Sequence, residues 1–235
     1  MLQFEDSLMA SSHPAHLKPR KRPRQARATV TVDAIFEATI QVLVTDGPHR
    51  LTTTRVAERA GVSVGTMYQY FPHKQALFYV LNERYLDALA KKVESACLAQ
   101  HGAPIDQMVE ALVTTYWNAK MERAEVTRAL YRSVVELNNE PLIEAFGRRV
   151  DAATTAMLAS ARETVFADLA TVNLTLLTSI FGTVRSVFER NLSDHEARAV
   201  HRQLILMCNA YLQAIRLPVH SAVTSDPATR PSAPA

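Results

Sequence analysis

One glycine set between two short amphipathic runs constrains this chain more than any other feature. Leu51 to Phe78 reads LTTTRVAERAGVSVGTMYQYFPHKQALF. Gly61 supplies the left-handed backbone that a sharp turn needs, at no steric cost. Before it, the pattern predicts a short helix from about Thr54 to Ala60, capped by the Thr53 hydroxyl. After it, a second short helix spans about Val64 to Phe71, capped by Ser63, with Met67 and Phe71 turned inward. Ala57 is small enough for the two helices to cross closely, and Val62 plugs the corner. Pro72 fits the first turn of a third helix, where a missing N–H costs nothing. That helix is long, reaching about Leu98, with Leu77, Val80, Leu81, Ala88, Leu89 and Val93 facing inward.

The second short helix is left with Val64, Gly65, Thr66, Tyr68, Gln69 and Tyr70 on its outer side. A merely solvated helix favours Lys and Glu, so this face is unusual. It suits the major groove of DNA. Small residues in the first turn permit close approach, Thr66 and Gln69 can hydrogen-bond base edges, and Tyr68 and Tyr70 can reach phosphates or thymine methyls. Lys74 sits in the first turn of the next helix, where its charge and the helix N-terminus both favour a phosphate.

This stretch resembles the signature of the TetR family of regulators. The matching features are Thr53-Thr54-Arg55 opening the second helix, the Ala60-Gly61-Val62-Ser63 turn, Thr66-Met67-Tyr68 and Tyr70-Phe71 on the recognition helix, and Lys74 with Ala76-Leu77-Phe78 on the fourth. A first helix from Thr31 to Asp46, ended by Gly47, also resembles the family's opening. Close similarity spans residues 30 to 80 or so; the rest agrees in length and helical character. The resemblance implies a nine-helix subunit, a homodimer, and a C-terminal domain that binds a small molecule. It implies DNA contacts at Thr53, Thr54, Thr66, Tyr68, Tyr70 and Lys74. Arg55, Ser63, Val64 and Gly65 join the candidate DNA-binding set, and Gln69 is a candidate specificity determinant.

Charge is placed unevenly. The chain carries a formal +3, yet residues 1–27 hold six basic side chains against two acidic ones, a local +4 that leaves −1 for the remainder. Such a block calls for an anionic partner. Arg22, Arg24 and Arg27 are therefore candidate contacts to phosphates or the minor groove. Residues 1–28 read as a disordered basic arm and 218–235, with four prolines, as a flexible tail.

Other classes find little support. No run of roughly 18 uninterrupted apolar residues exists, and the N-terminus lacks the shape of a signal peptide, so the chain reads as cytoplasmic with no membrane partner. Cys97 and Cys208 are far apart without metal-ligand spacing and read as small buried hydrophobes. No catalytic motif is present, and no histidine pairs with a carboxylate in sequence; no cofactor or metal is expected.

The second half predicts five more helices, near 105–121, 124–137, 141–167, 170–190 and 194–216, the last opened by a Ser193-x-x-Glu196 capping box. Tyr116, Trp117, Met121, Tyr131, Phe146 and Met157 are candidate lining for an effector pocket, although any helical core contains such residues. Arg128, Glu136 and Arg185 are candidate orienting charges. The last two helices are apolar around much of their girth, which makes Ile180, Val184, Phe188, Leu204, Met207 and Tyr211 candidates for a two-fold interface.

The expected fold is all-α, about nine helices: an N-terminal three-helix helix-turn-helix DNA-binding domain (29–75) and a larger C-terminal helical ligand-binding and dimerisation domain (76–217). The expected function is a ligand-responsive repressor that binds a near-palindromic operator in double-stranded DNA as a homodimer, under an unknown small-molecule effector. An activator is the alternative, with a helical enzyme or adaptor more remote.

Overall fold

The computed structural model describes residues 26–133, 139–162 and 164–218. Nine α-helices appear among them: α1 (Ala26–Asp46), α2 (Thr53–Arg59), α3 (Val64–Tyr70), α4 (Lys74–Ala99), α5 (Ile105–Met121), α6 (Ala124–Ser133), α7 (Glu140–Ala159), α8 (Leu169–Glu189) and α9 (Asp194–Ile215). A two-residue antiparallel pairing joins β1 (Thr164–Val165) to β2 (Leu217–Pro218). The fold is all-α, as expected.

Punctuation in the sequence explains most boundaries. Gly47, Gly61 and Gly102 all have positive φ, at 81°, 66° and 73°, a backbone that residues with a Cβ rarely adopt, and each lies in the turn after a helix. The capping box at the head of α9 is complete: the Ser193 N–H donates to Glu196 Oε2 at 2.9 Å, and the Glu196 N–H donates to Ser193 Oγ at 3.3 Å.

Four expectations are corrected. The first helix begins at Ala26 rather than Thr31, because Ala26-Arg27-Ala28 are strong helix formers and extend it into what reads as the arm. The helix α7 stops at Ala159, short of 167. There the Ser160 hydroxyl donates to the Met157 carbonyl at 2.6 Å and accepts from the Gly102 N–H at 2.9 Å, which competes with further helical bonding. Pro72 lies before α4 rather than in its first turn; His73 is the N-cap, its Nδ1 accepting from the Ala76 N–H at 3.1 Å. Ala88 is exposed, not inward.

Two cores result. One gathers α1, α2, α3 and the first part of α4, with Ile35, Leu51, Met67 and Phe71 almost fully buried, and it also takes in Val126, Ala129 and Leu130 of α6. The other fills the space among the rest of α4 and α5, α7, α8 and α9. Burial of one large apolar side chain is worth about 1.5–3 kcal/mol, so Val126 and Leu130 of α6 give the helix-turn-helix core a substantial anchor to the rest of the chain. Residues 28–46 of α1 are long and apolar enough to cross a membrane by length and composition, with a mean hydropathy of 1.4. Their apolar side is instead committed to the first core through Val32, Ile35, Phe36, Val42 and Leu43.

Candidate nucleic-acid interface

The turn between α2 and α3 is built from short polar bonds over a buried apolar base. Thr52, not Thr53, caps α2: its Oγ1 accepts from the Arg55 N–H at 3.2 Å. The correction frees Thr53, whose largely buried hydroxyl donates to Tyr68 Oη at 3.3 Å and so ties α2 to α3. Ser63 caps α3 as expected, accepting from the Thr66 N–H at 3.0 Å, and its hydroxyl also lies 2.8 Å from Thr66 Oγ1. Met67, fully buried, anchors the helix from below.

What α3 presents is therefore set by its neighbours. Ser63, Val64, Gly65, Tyr68 and Gln69 are exposed and Thr66 is half-buried. Val64 and Tyr68 stand 41% and 42% exposed, high for such side chains. Tyr70 does not belong to this face. It is 7% exposed, with its ring 6.5 Å from that of Phe71, because it follows Met67 by three residues and shares its inward side. Of the α2 candidates, Thr54 is exposed and Arg55 is held at 3.4 Å by Asp46 at the end of α1. Lys74 is the first residue of α4, at the positive end of a 26-residue helix. Arg22 and Arg24 lie outside the described residues, as does the Arg27 side chain. A protruding helix with hydroxyl, phenol and amide groups, flanked by a cation, can enter a groove and donate or accept along base edges.

The candidate pocket residues do not line either of two cavities between the helices. Tyr116, Trp117, Phe146 and Met157 are buried, and Met121 and Tyr131 pack against that core. Rings meet there at 4.6 Å (Tyr116–Phe181), 5.8 Å (Phe146–Phe181) and 5.8 Å (Tyr131–Phe188). One cavity, about 770 Å³, is an open groove between α4 and α5. The other, about 390 Å³, is a cleft where α1, α4, α5 and α6 meet. Phe36, Ile40, Leu81, Leu89, Val126 and Leu130 give it apolar walls. Three ion pairs rim it: Arg84–Asp33, Arg123–Glu37 and Lys92–Glu122.

Sequence reasoning missed Lys120. It is 3% exposed, and its ammonium lies 4.8, 5.6 and 4.9 Å from the ring centres of Tyr85, Tyr116 and Tyr131. Burial pulls its pKa down to about 8, and burial pushes the Tyr131 phenol up to about 12. Tyr85 is also raised by burial, partly offset by its 2.8 Å hydrogen bond with Thr127 Oγ1. The signal was present: Lys120 continues the inward stripe Leu112, Val113, Tyr116, Trp117 of α5. Of the orienting charges, Arg185 is exposed and paired with Glu189 at 2.6 Å, Arg128 Nε is buried with no hydrogen-bond partner among the described residues, and Glu136 lies outside them.

Of the expected interface residues, Met207 is exposed and the other five face the subunit's own core. Ile180, Val184, Phe188 and Leu204 are buried inside the subunit's own core, and Tyr211 is partly buried against it. The apolar side chains that α8 and α9 leave outward are Leu174, Leu206 and Met207, at 63%, 60% and 48% exposure. Both helices carry more apolar positions than one core-facing stripe needs, so the sequence did not separate those turned inside from those left outside.

Comparison with known families decides the lineage. Residues 35–80 match the bacterial regulatory proteins of the tetR family, and residues 104–212 match the tetracyclin repressor-like C-terminal domain. The chain belongs to the TetR family. A TetR-family chain is a regulator, not an enzyme. Among curated relatives it is 32% identical over 116 residues to the nucleoid occlusion factor SlmA of Haemophilus ducreyi, covering 46% of this chain and 53% of that one. It is 33% identical over 101 residues to the HTH-type transcriptional repressor KstR of Mycolicibacterium smegmatis, covering 43% and 48%. The chain thus spans about half the length of the curated relatives it matches. The structure of SmeT of Stenotrophomonas maltophilia in complex with triclosan superposes with a TM-score of 0.62 at 19% identity, over 87% of this chain and 99% of that one. That likeness establishes a shared fold.

Proposed function

We propose that this TetR-family chain is a transcriptional repressor that binds a near-palindromic operator as a homodimer and is released by a small-molecule effector. The observation that carries the reading is the exposed outer face of α3, from Val64 to Gln69, held by a capped turn above fully buried Met67. Groove-facing chemistry on a rigid mount is what base readout requires. Tyr68 and Lys74 take phosphates, Thr66 and Gln69 take base edges, and Arg22, Arg24 and Arg27 follow the backbone on either side.

Repression follows from occupancy, since a filled operator obstructs polymerase; the resemblance to a named repressor, KstR, favours the same outcome. Pairing through Leu174, Leu206 and Met207 would set two α3 helices toward successive major grooves. The SmeT–triclosan complex supports effector binding by a chain of this fold. An effector acts as an inducer only by binding the DNA-incompetent arrangement more tightly. The natural lever is α4, which runs unbroken from Lys74 to Ala99, about 39 Å at 1.5 Å per residue.

Selection of bound duplexes from a random pool, followed by footprinting, tests this. A palindromic consensus with protected half-sites about one helical turn apart is the expected result. No enrichment in dilute buffer would end the reading.

A further inference from the structure

Lys120 is a cation buried without a counter-charge among the described residues. No hydrogen bond or ion pair to its ammonium exists among the described residues. The groups around it are Tyr85 from α4, Tyr116 from α5 and Tyr131 from α6, with Arg185 of α8 behind Tyr131 at 5.9 Å and already paired with Glu189. Ring faces attract an ammonium, but they do not satisfy its three N–H donors. A buried charge left in this state is retained against its cost, and a bound anion is the natural complement.

Tyr85 links this cage to the interdomain cleft. Its side chain lines the cleft, and its ring lies 4.8 Å from the ammonium. Its hydroxyl shares a 2.8 Å hydrogen bond with Thr127 Oγ1. The cleft's volume of about 390 Å³ falls within the range of small-molecule sites. Its walls are apolar, and its rim charges are already matched in pairs.

We infer that the cleft takes an amphipathic organic monocarboxylate, its apolar body between α1 and α6 and its carboxylate on the Lys120 ammonium once the Tyr85 ring moves aside. A dianion such as a phosphate ester would bring a second charge that nothing in the cage matches. The inference rests on the reading of the second domain as effector-responsive, and it names the effector's chemical class. It also gives the coupling a place: α1 carries the reading head, α6 belongs to the second domain, and a body wedged between them separates the two.

The test uses the full chain, with 4-phenylbutyrate as probe and neutral 4-phenylbutyramide as its comparison, followed by calorimetry. The carboxylate is expected to saturate the protein and the amide to bind at least tenfold more weakly. Lys120→Met should weaken the carboxylate at least tenfold and change the amide less than threefold. Ala88→Trp, at an exposed position lining the cleft, should weaken both. Wild-type titrations in buffers of different ionisation enthalpy, run above the lysine's midpoint, should reveal proton uptake as the ammonium is restored; this readout needs no variant. Absence of saturable carboxylate binding up to about 10 mM, equal binding of acid and amide, an unaffected Lys120→Met, or no proton uptake would each overturn the inference. Operator binding measured without probe separates the two failures: a chain that holds its duplex but ignores the carboxylate loses only this inference.

Discussion

Arg123, in the turn before α6, forks its guanidinium over Glu37 on α1, with Nη1 3.2 Å from one carboxylate oxygen and Nη2 3.0 Å from the other. The pair bridges reading head and second domain beside the interdomain cleft. Both side chains are nearly half exposed, so solvent screens much of the attraction. A double-mutant cycle with Arg123→Met and Glu37→Gln should give a coupling of about 0.3–1 kcal/mol in thermal or urea unfolding. It should shrink toward zero at high salt, where the screening length falls to about 3 Å. A larger, salt-independent coupling would mean the pair is desolvated in solution.

The reading head predicts two distinct signatures. Gln69→Ala should relax preference at one base pair in each half-site, at about 1–3 kcal/mol per lost contact. Lys74→Met should weaken all duplexes alike and lower the salt slope of log K by about 0.9 per lost phosphate contact. Binding isotherms across a salt series, on consensus and scrambled duplexes, separate these outcomes.

Lys120 makes stability depend on pH in an unusual direction. Its ordinary pKa of 10.5 drops to about 8 in the fold through burial. Between those values the unfolded chain binds more protons than the folded one, so the lysine's contribution to stability rises with pH. The full effect is about 3 kcal/mol at 1.36 kcal/mol per unit. Below pH 8 the penalty is present in full. Lys120→Met removes it, so the variant should unfold at higher temperature than wild type at pH 7, and the gap should close toward pH 10. Tyr131 and Tyr116, raised by burial, pull the other way above pH 10 in both proteins, so the difference between the two curves isolates the lysine.

The residues that the sequence made legible are those whose role is local. Gly61 and Ser63 announce the turn before α3, and Ser193 with Glu196 announces α9, because each acts within four residues of itself. Tyr70 misled because its hydroxyl reads as surface chemistry, whereas its position three residues after Met67 places it inside. Lys120 was overlooked although it lies on an apolar stripe, because two of the three rings that make it a cage, Tyr85 and Tyr131, come from other helices that only the tertiary fold brings together. The faces of α8 and α9 were ambiguous for the opposite reason: too many apolar positions, from Leu174 through Phe188, fit either side.

Leu206 and Met207 give a test of assembly. Leu206→Glu, at a position 60% exposed in the subunit, should leave helical content unchanged while converting a dimer to a monomer in light scattering at micromolar concentration, with an unfolding midpoint that no longer depends on protein concentration. A wild-type chain that is already monomeric would remove the paired-operator geometry.

The thiols should be silent in the native state. Burial pushes Cys97 up to about 12, with nearby Glu94 adding to the effect, and Cys208 up to about 11. At pH 8 neither should react with an aromatic disulfide reagent until the protein is unfolded. Fast stoichiometric labelling of the folded chain would show that one of these helices opens readily.

Of the seven residues of α3, Met67 and Tyr70 hold the helix from within, Thr66 and Tyr68 each add a hydroxyl contact, to Ser63 and Thr53, and Val64, Gly65 and Gln69 carry no such tie. Attachment and address are thus written in different letters of the same short word. On the proposed DNA-reading role, mutational drift at those three outer letters would carry the chain to new genomic targets while its folding free energy barely changes, which makes the segment a site of cheap evolutionary retargeting.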